Sequence, residues 1–287
     1  MQNINTIINA RSYNDVNGCF FMRFFKMQNC GNDYIFVFER LTAEDIVKLC
    51  DRNFGIGGDG VVYIYKKGEC FGYEIYNSDG SRATFCGSVT LALGLYLFKT
   101  QGKMQFDLLT DAGLKSVRVF PQGKAIKVAI EVGKPHFQEK IASEKVFDKL
   151  LLLRCGNRFV RVRATIVDVG NLHLVIKGLY SKVLREKIVR AIGKSGLFKG
   201  GINIEFCKMR KNTARVIVYE RGSGKTLCCS SGGAAVFAVL NKTGECGERL
   251  IIEFEGGKIT AEMKENGIVI SAYPKLVFSG RWEKLCE

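Results

Sequence analysis

Two stretches of the chain repeat one device. Cys86 lies ten residues after Tyr76, and Cys229 lies ten residues after Tyr219. Each cysteine is followed two residues later by Ser88 or Ser231, and six later by Ala92 or Ala235. Beyond each, the chain turns small and apolar, as at the start of a helix. A thiolate at a helix N-terminus is favoured by the outward N–H groups and the dipole there, and it is then a competent base near neutral pH. The same N–H groups can hold a carboxylate. That combination suits removal of the proton alpha to a carboxylate, because fixed donors stabilise the charge that develops. Two such thiols, one from each half of a duplicated chain, predict a two-base reaction. One thiol removes the proton and the other returns it on the opposite face.

Each piece also has a plain structural reading. A single Cys before an apolar helix more often packs than reacts, so the symmetric pair is what points to chemistry. Gly55 to Gly60 is glycine-rich, but it lacks the G-K-[ST] ending of a phosphate loop and the strand–G-x-G-x-x-G–helix setting of a dinucleotide site. His173 alone reads as a packed histidine, and Glu220-Arg221 alone as a surface pair.

The elements that must carry these residues come from periodicity. Met22 to Met27 opens a strand-like segment. Thr42-x-x-Asp45 has capping-box spacing and predicts a helix running to about Arg52. Val61 to Tyr65 reads as a buried strand. Val89 to Phe98 and Ala234 to Leu240 are apolar on nearly every face, so both helices belong inside a shell of other elements. Strands are predicted over 115–120, 125–132, 158–167, 214–219, 250–254 and 268–272, with hairpin punctuation at Gly256-Gly257 and Asn266-Gly267. Ser181 to Ile192 predicts a surface helix. The repeat extends further: Gly31-Asn32 and Gly170-Asn171 each precede an apolar strand. Asn32 lies 54 residues before Cys86, and Asn171 lies 58 before Cys229. Two halves of the same order imply two similar domains facing each other, and a cleft between such domains commonly takes a small ligand.

Composition narrows the class. At 287 residues the chain is long enough for two domains. Its 47% hydrophobic and 25% charged residues are an ordinary globular profile. No apolar run is long enough to span a bilayer, and the first residues lack the basic and apolar regions of a signal peptide. The expectation is a cytoplasmic protein with no membrane partner. Eleven cysteines, an odd number in such a chain, argue against a disulfide framework. No C-x-x-C occurs and the only histidines are His136 and His173, so no metal site is expected. Cys50, Cys155 and Cys207 read as small buried hydrophobes. The net charge of +15 raises nucleic acid as a partner. The basic residues are dispersed, however, and Arg161 and Arg163 alternate as on a solvated sheet face. A lysine-rich surface with no nucleic-acid partner is the reading adopted. Nothing marks a Schiff-base lysine for pyridoxal phosphate.

Taken together, the motifs resemble the diaminopimelate epimerase family, cofactor-independent enzymes of lysine and peptidoglycan precursor synthesis. The resemblance runs from about residue 22 to 275 in motif order. It is carried by Met22-x-Phe24-x-Lys26-Met27 with Gly31-Asn32-Asp33-Tyr34, and by Asp51-Arg52-Asn53-Phe54-Gly55-Ile56-Gly57-Gly58-Asp59-Gly60. Asn77-Ser78-Asp79-Gly80-Ser81 leads to Cys86-Gly87. Gly170-Asn171-x-His173 and Asn203-Ile204-Glu205-Phe206 follow. The last is Glu220-Arg221-Gly222-x-Gly224-x-Thr226, leading to Cys229-x-Ser231-Gly232.

The resemblance implies Cys86 and Cys229 as the acid/base pair, and no cofactor. It implies that Asn32, His173 and Glu220 lie near the reacting end of an amino acid substrate. Asn77, Asn171, Asn203 and Arg221 would hold the distal end. Gly87, Ser88, Ser230 and Ser231 would offer backbone N–H groups to the reacting carboxylate. The implied fold is α/β (α+β), with two similar pseudo-symmetric domains, each a strand-rich shell around a central apolar helix. The expected boundaries are an N-terminal extension outside the fold at 1–21, domains at 22–130 and 131–275, and a C-terminal segment at 276–287 returning to the first domain. Translation from Met22 would then suffice. Oligomeric state is left open, with a homodimer as the candidate assembly.

Departures from the family pattern cluster near the carboxylate. The family's C-G-N-G is Cys86-Gly87-Ser88-Val89, and its C-G-[ST]-G is Cys229-Ser230-Ser231-Gly232. Its G-N-P-H has Leu172 for Pro, and its G-E-T is Gly224-Lys225-Thr226. These bear on the substrate more than on the reaction class. The expectation is epimerisation of LL-diaminopimelate to the meso form. Racemisation of another amino acid and plain small-molecule binding on this fold are the alternatives.

Overall fold

The computed structural model describes residues 13–14, 20–137, 146–198 and 200–284. The chain divides into two compact units, residues 1–130 with 272–287 and residues 131–271. Most of the N-terminal stretch expected to lie outside the fold, and residues 285–287, fall outside the described residues.

The first unit begins with β1 (Tyr13–Asn14), β2 (Phe20–Asn29) and β3 (Asn32–Val37). The strand read from Met22 thus starts two residues earlier. Helix α1 (Ala43–Cys50) follows, then β4 (Gly60–Lys67), β5 (Cys70–Asn77), β6 (Arg82–Ala83), α2 (Gly87–Gln101), β7 (Gln105–Thr110), β8 (Gly113–Gln122) and β9 (Ala125–Gly133). The second holds β10 (Lys149–Cys155), β11 (Arg158–Asp168), β12 (Leu172–Lys177), α3 (Lys182–Lys194), β13 (Asn203–Arg210), β14 (Thr213–Glu220), β15 (Gly224–Thr226), α4 (Ser230–Lys242), β16 (Arg249–Phe254), β17 (Gly257–Lys264) and β18 (Gly267–Ala272). The chain closes with β19 (Lys275–Lys284), which runs antiparallel along β2 in the first unit.

Strand pairing repeats between the units. β2 and β3 are antiparallel, β3 and β4 parallel, β4 and β5 antiparallel, and β5 is parallel to β7. In the second unit β11 and β12 are antiparallel, β12 and β13 parallel, β13 and β14 antiparallel, and β14 is parallel to β16. β19 stands beside β2 as β10 stands beside β11. The fold is therefore mixed α/β and strand-rich, built twice on one plan.

Each plan needs two kinds of helix. α1 is amphipathic. Thr42 accepts from the Asp45 N–H and Asp45 reaches back to the Thr42 N–H, closing the capping box. Its buried Ile46 and Leu49 pack against Ile35 and Val37 of β3, and each contributes about 2 kcal/mol. α3 does the same in the second unit, with Ser181 as N-cap and Ile188 and Ile192 against Leu174 and Ile176. The opposite faces of these strands meet the apolar helices. Phe36 stacks on Phe25, and Phe25 stacks on Tyr96 of α2. Hence α2 is buried from Gly87 through Leu97, and α4 from Gly232 through Leu240. β3 and β12 are covered on both faces, which is why they read as continuous apolar runs rather than alternating ones. Arg154, Arg158, Arg161 and Arg163 are all exposed, and Cys50, Cys155 and Cys207 are buried, as read from the sequence.

Candidate active site

In the first unit β6 delivers the chain to Cys86, the N-cap of α2, in extended backbone (φ −142°, ψ 119°). Gly87 and Ser88 form the first helical turn, whose N–H groups point out of the helix end. The half-buried Cys86 thiol donates to Asn32 Oδ1 at 3.7 Å. Asn32 stands at the start of β3, and its Nδ2 donates to Asp59 Oδ2 at 2.9 Å. Behind it is an ion-pair cluster. Arg52 Nη2 meets Asp33 Oδ1 at 2.7 Å and Asp59 Oδ1 at 2.8 Å, and Lys26 Nζ meets Asp33 Oδ2 at 2.7 Å. Burial works against the Asp33 carboxylate, yet hydrogen bonds from Arg52 and Lys26 outweigh it and hold its pKa below the usual range. Burial pushes Asp59 the other way, upward. Asn77 ends β5, where its Nδ2 donates to Ser81 Oγ at 2.9 Å and its N–H to the Ser81 carbonyl at 2.8 Å. The next N–H, of Ser78, donates to the Asp59 carbonyl, which ties this turn to the same cluster.

In the second unit Cys229 is the N-cap of α4 with nearly the same backbone (φ −136°, ψ 114°). Ser230 and Ser231 form the first turn. The Cys229 sulfur accepts from the Gly232 N–H at 3.4 Å and lies 3.3 Å from Ser231 Oγ. Asn171 Nδ2 donates to Ser231 Oγ at 3.4 Å, and Asn171 Oδ1 lies 2.9 Å from His173 Nε2. His173 is wholly buried, and its Nδ1 meets Glu205 Oε1 at 2.7 Å. Glu220, at the end of β14, accepts from Thr226 Oγ1 at 2.5 Å.

Burial pushes Glu220 up, assisted by the Glu205 charge. Burial also pushes the Cys229 thiol well above its ordinary value, and the Glu220 and Glu205 charges push the same way; the Ser231 hydroxyl and Gly232 N–H oppose them. These influences oppose the helix end, which favours a thiolate. Desolvation and two carboxylates work against the thiolate form of Cys229.

Of the four residues expected at the distal end, Asn203 at the start of β13 and Arg221 just after β14 sit together, while Asn77 ends β5 and Asn171 precedes β12. Asn203 is buried with both ends of its amide committed, Nδ2 to the Leu172 carbonyl at 3.1 Å and Oδ1 to the Arg221 N–H at 2.9 Å. The exposed Arg221 runs its stem over Gly201, where a Cβ would stand 2.9 Å from Arg221 Cγ. Asn203 thus positions Arg221, and Gly201 leaves it room. Among the described residues no group of three or more His, Cys, Asp or Glu is arranged to hold a metal ion. Sequence reasoning passed over Asp33, Arg52, Asp59, Glu205 and Thr226. All stood inside quoted motifs, and Glu205 in the apolar strand Asn203-Ile204-Glu205-Phe206 was itself a signal, since a carboxylate among buried residues needs a partner.

A strand-rich α/β plan built twice, with a cysteine N-capping each central helix, defines the class of protein. The family model described as diaminopimelate epimerase matches residues 24–138 and 164–275. A diaminopimelate epimerase of Leptospira biflexa serovar Patoc is 32% identical, covering 91% of this chain and 99% of the relative. One from Natranaerobius thermophilus is 34% identical, covering 85% and 92%. A crystal structure of a hydroxyproline epimerase from Agrobacterium vitis has the same fold (TM-score 0.64, 12% identity, covering 96% of this chain and 93% of that one). The chain belongs to the diaminopimelate epimerase family.

Proposed function

We propose that the protein epimerises LL-diaminopimelate to the meso form, without a cofactor, by proton transfer between Cys86, Cys229 and one α-carbon. The observation that carries this reading is the pair of cysteines N-capping equivalent helices within this family's motifs. In each direction one sulfur, as thiolate, takes the α-proton while the substrate carboxylate gains charge. The first-turn N–H groups of Gly87 and Ser88, and of Ser230 and Ser231, are placed to offset that charge. The other sulfur, as thiol, gives its proton to the opposite face. Glu220 accepts the Cys229 proton when that residue must serve as the base, because both groups are buried and each holds a proton more tightly than in water. Arg221 supports a substrate with a second carboxylate: its planar fork suits bidentate contact, and Asn203 holds its backbone. His173 orients Asn171, which in turn orients Ser231.

The reading places the protein in lysine and peptidoglycan precursor synthesis in the cytoplasm. Its partner is a small amino acid, with a homodimer as the candidate assembly and no nucleic acid or membrane. Incubation in deuterated water with a panel of amino acids, followed by NMR, tests it. Loss of the α-proton signal of diaminopimelate with appearance of the other epimer is expected. Faster exchange of a monocarboxylate amino acid would overturn the substrate while leaving the reaction class.

A further inference from the structure

One chain of hydrogen bonds leads from the Cys86 thiol into the ion-pair cluster. The thiol donates to Asn32 Oδ1, and Asn32 Nδ2 donates to Asp59 Oδ2. Asp59 is itself fixed on every side. Its Oδ2 also accepts from the Asp33 N–H at 3.1 Å, its Oδ1 accepts from Arg52, its N–H donates to the Asp33 carbonyl at 2.7 Å, and its carbonyl accepts from Ser78. Paired with Arg52 it is a carboxylate, and a carboxylate only accepts. The NH2 of Asn32 must therefore face Asp59, and the amide oxygen must face the sulfur.

We propose that Asp59 is a positioning residue for the reaction: it fixes the amide of Asn32 so that Cys86 meets an acceptor and not a donor. An acceptor stabilises the S–H form, whereas an amide NH2 in the same place would stabilise the thiolate. Asp59 touches no reacting atom; it acts through Asn32. The charged groups behind Asn32 are Asp59, Asp33, Arg52 and Lys26. On the helix side of Cys86 stand Thr90, whose hydroxyl donates to the Cys86 carbonyl at 3.0 Å, and Tyr73, 2.6 Å from that hydroxyl. The two amides are set differently: Asn32 is held by a carboxylate directly, Asn171 by a carboxylate through His173.

The inference rests on the epimerase reading, and its test has an arm that does not need turnover. In a Cys229→Ala background, the rate of iodoacetamide alkylation of Cys86, read by peptide mass spectrometry, is followed against pH for Asp59→Ala, Asn32→Ala and the double variant. Removing the Asp59 charge alone would lower the midpoint equally with or without Asn32. Fixing of the amide predicts a downward shift that shrinks when Asn32 is already alanine, a non-additivity that a double-mutant cycle reads directly. With both cysteines present, Asp59→Ala should lower kcat about tenfold or more with KM changed less than about threefold, and Asp59→Glu should recover part of the loss. If Asp59→Ala does not fold, Asp59→Ser, whose hydroxyl is too short to reach Asn32, takes its place. Equal shifts in both backgrounds, or kcat within about twofold of the parent, would overturn the inference. Failure of the parent protein to exchange the α-proton of any amino acid would instead overturn the epimerase reading, and the alkylation cycle would still report on Asp59.

Discussion

Cys86 and Cys229 begin equivalent helices with backbone angles within about ten degrees of each other, yet their neighbours differ in kind. Cys86 is half-buried and faces a neutral amide backed by an ion-pair cluster. Cys229 is buried, with a hydroxyl and a backbone N–H against its sulfur and two carboxylates close by. The duplicated backbone delivers the N-cap twice, and the side chains then give the two thiols different surroundings. The helix terminus is common to both, so it cannot be the source of the difference. At Cys229, burial and nearby charge push the thiol upward.

The comparison breaks first if one thiol is dispensable. Cys86→Ala and Cys229→Ala should each reduce epimerisation by at least about 10³-fold, since each removes a proton-transfer group outright. Epimer ratio followed by NMR measures this, and full activity in either variant would end the two-base mechanism. A smaller effect sharpens the inequality. Glu220→Gln in a Cys86→Ala background removes a negative charge beside Cys229. The charged thiolate is then less penalised, so the pH midpoint for Cys229 alkylation should fall by about one pH unit. Turnover in otherwise native protein should fall about 10²-fold, because Glu220 no longer accepts the thiol proton.

Much of this was legible in the sequence, for definite reasons. The cysteine pair, Asn32, Asn171 and Glu220 stand in motifs whose spacing survives in both halves. The central helices showed themselves by being apolar all round, and Thr42 with Asp45 marked the start of α1. What could not be read depends on distant residues. β19 pairs Lys275 with Gln28, and no local periodicity records a partner so far away in the chain. β10 contains Leu150 to Leu153, a run without alternation that hides its exposed Leu150 and Leu152. The carboxylates near Cys229 could not be read from the helix end, which is a local feature, because the burial of Glu205 depends on β13 lying between β12 and β14. Asp59 was visible as a motif letter, but its contact with Asn32 needs the register that sets β3 beside β4.

The smallest effect tests whether the two central helices are packed alike. Both carry a glycine with no room beside it. A Cβ on Gly94 would stand 2.4 Å from Val117 Cγ1 and 3.1 Å from Val128 Cγ1; one on Gly233 would stand 2.4 Å from Ile259 Cδ1 and 3.4 Å from Ile252 Cδ1. Val117 lies on β8 and Ile259 on β17, corresponding strands of the two plans. The first obstacle is the stiff one, because a valine methyl sits directly on a β-branched carbon with little choice of rotamer. The isoleucine δ-methyl is the far end of a longer side chain and can swing aside. Alanine also gains about 1 kcal/mol over glycine in helix propensity at both positions. Gly94→Ala should therefore cost a net of about 2 kcal/mol from overpacking, whereas Gly233→Ala should fall within about 1 kcal/mol of neutral. Urea denaturation midpoints of the two variants measure the difference. Equal losses would show that the cores around α2 and α4 yield alike, and that the inequality between the halves is confined to the cysteine settings.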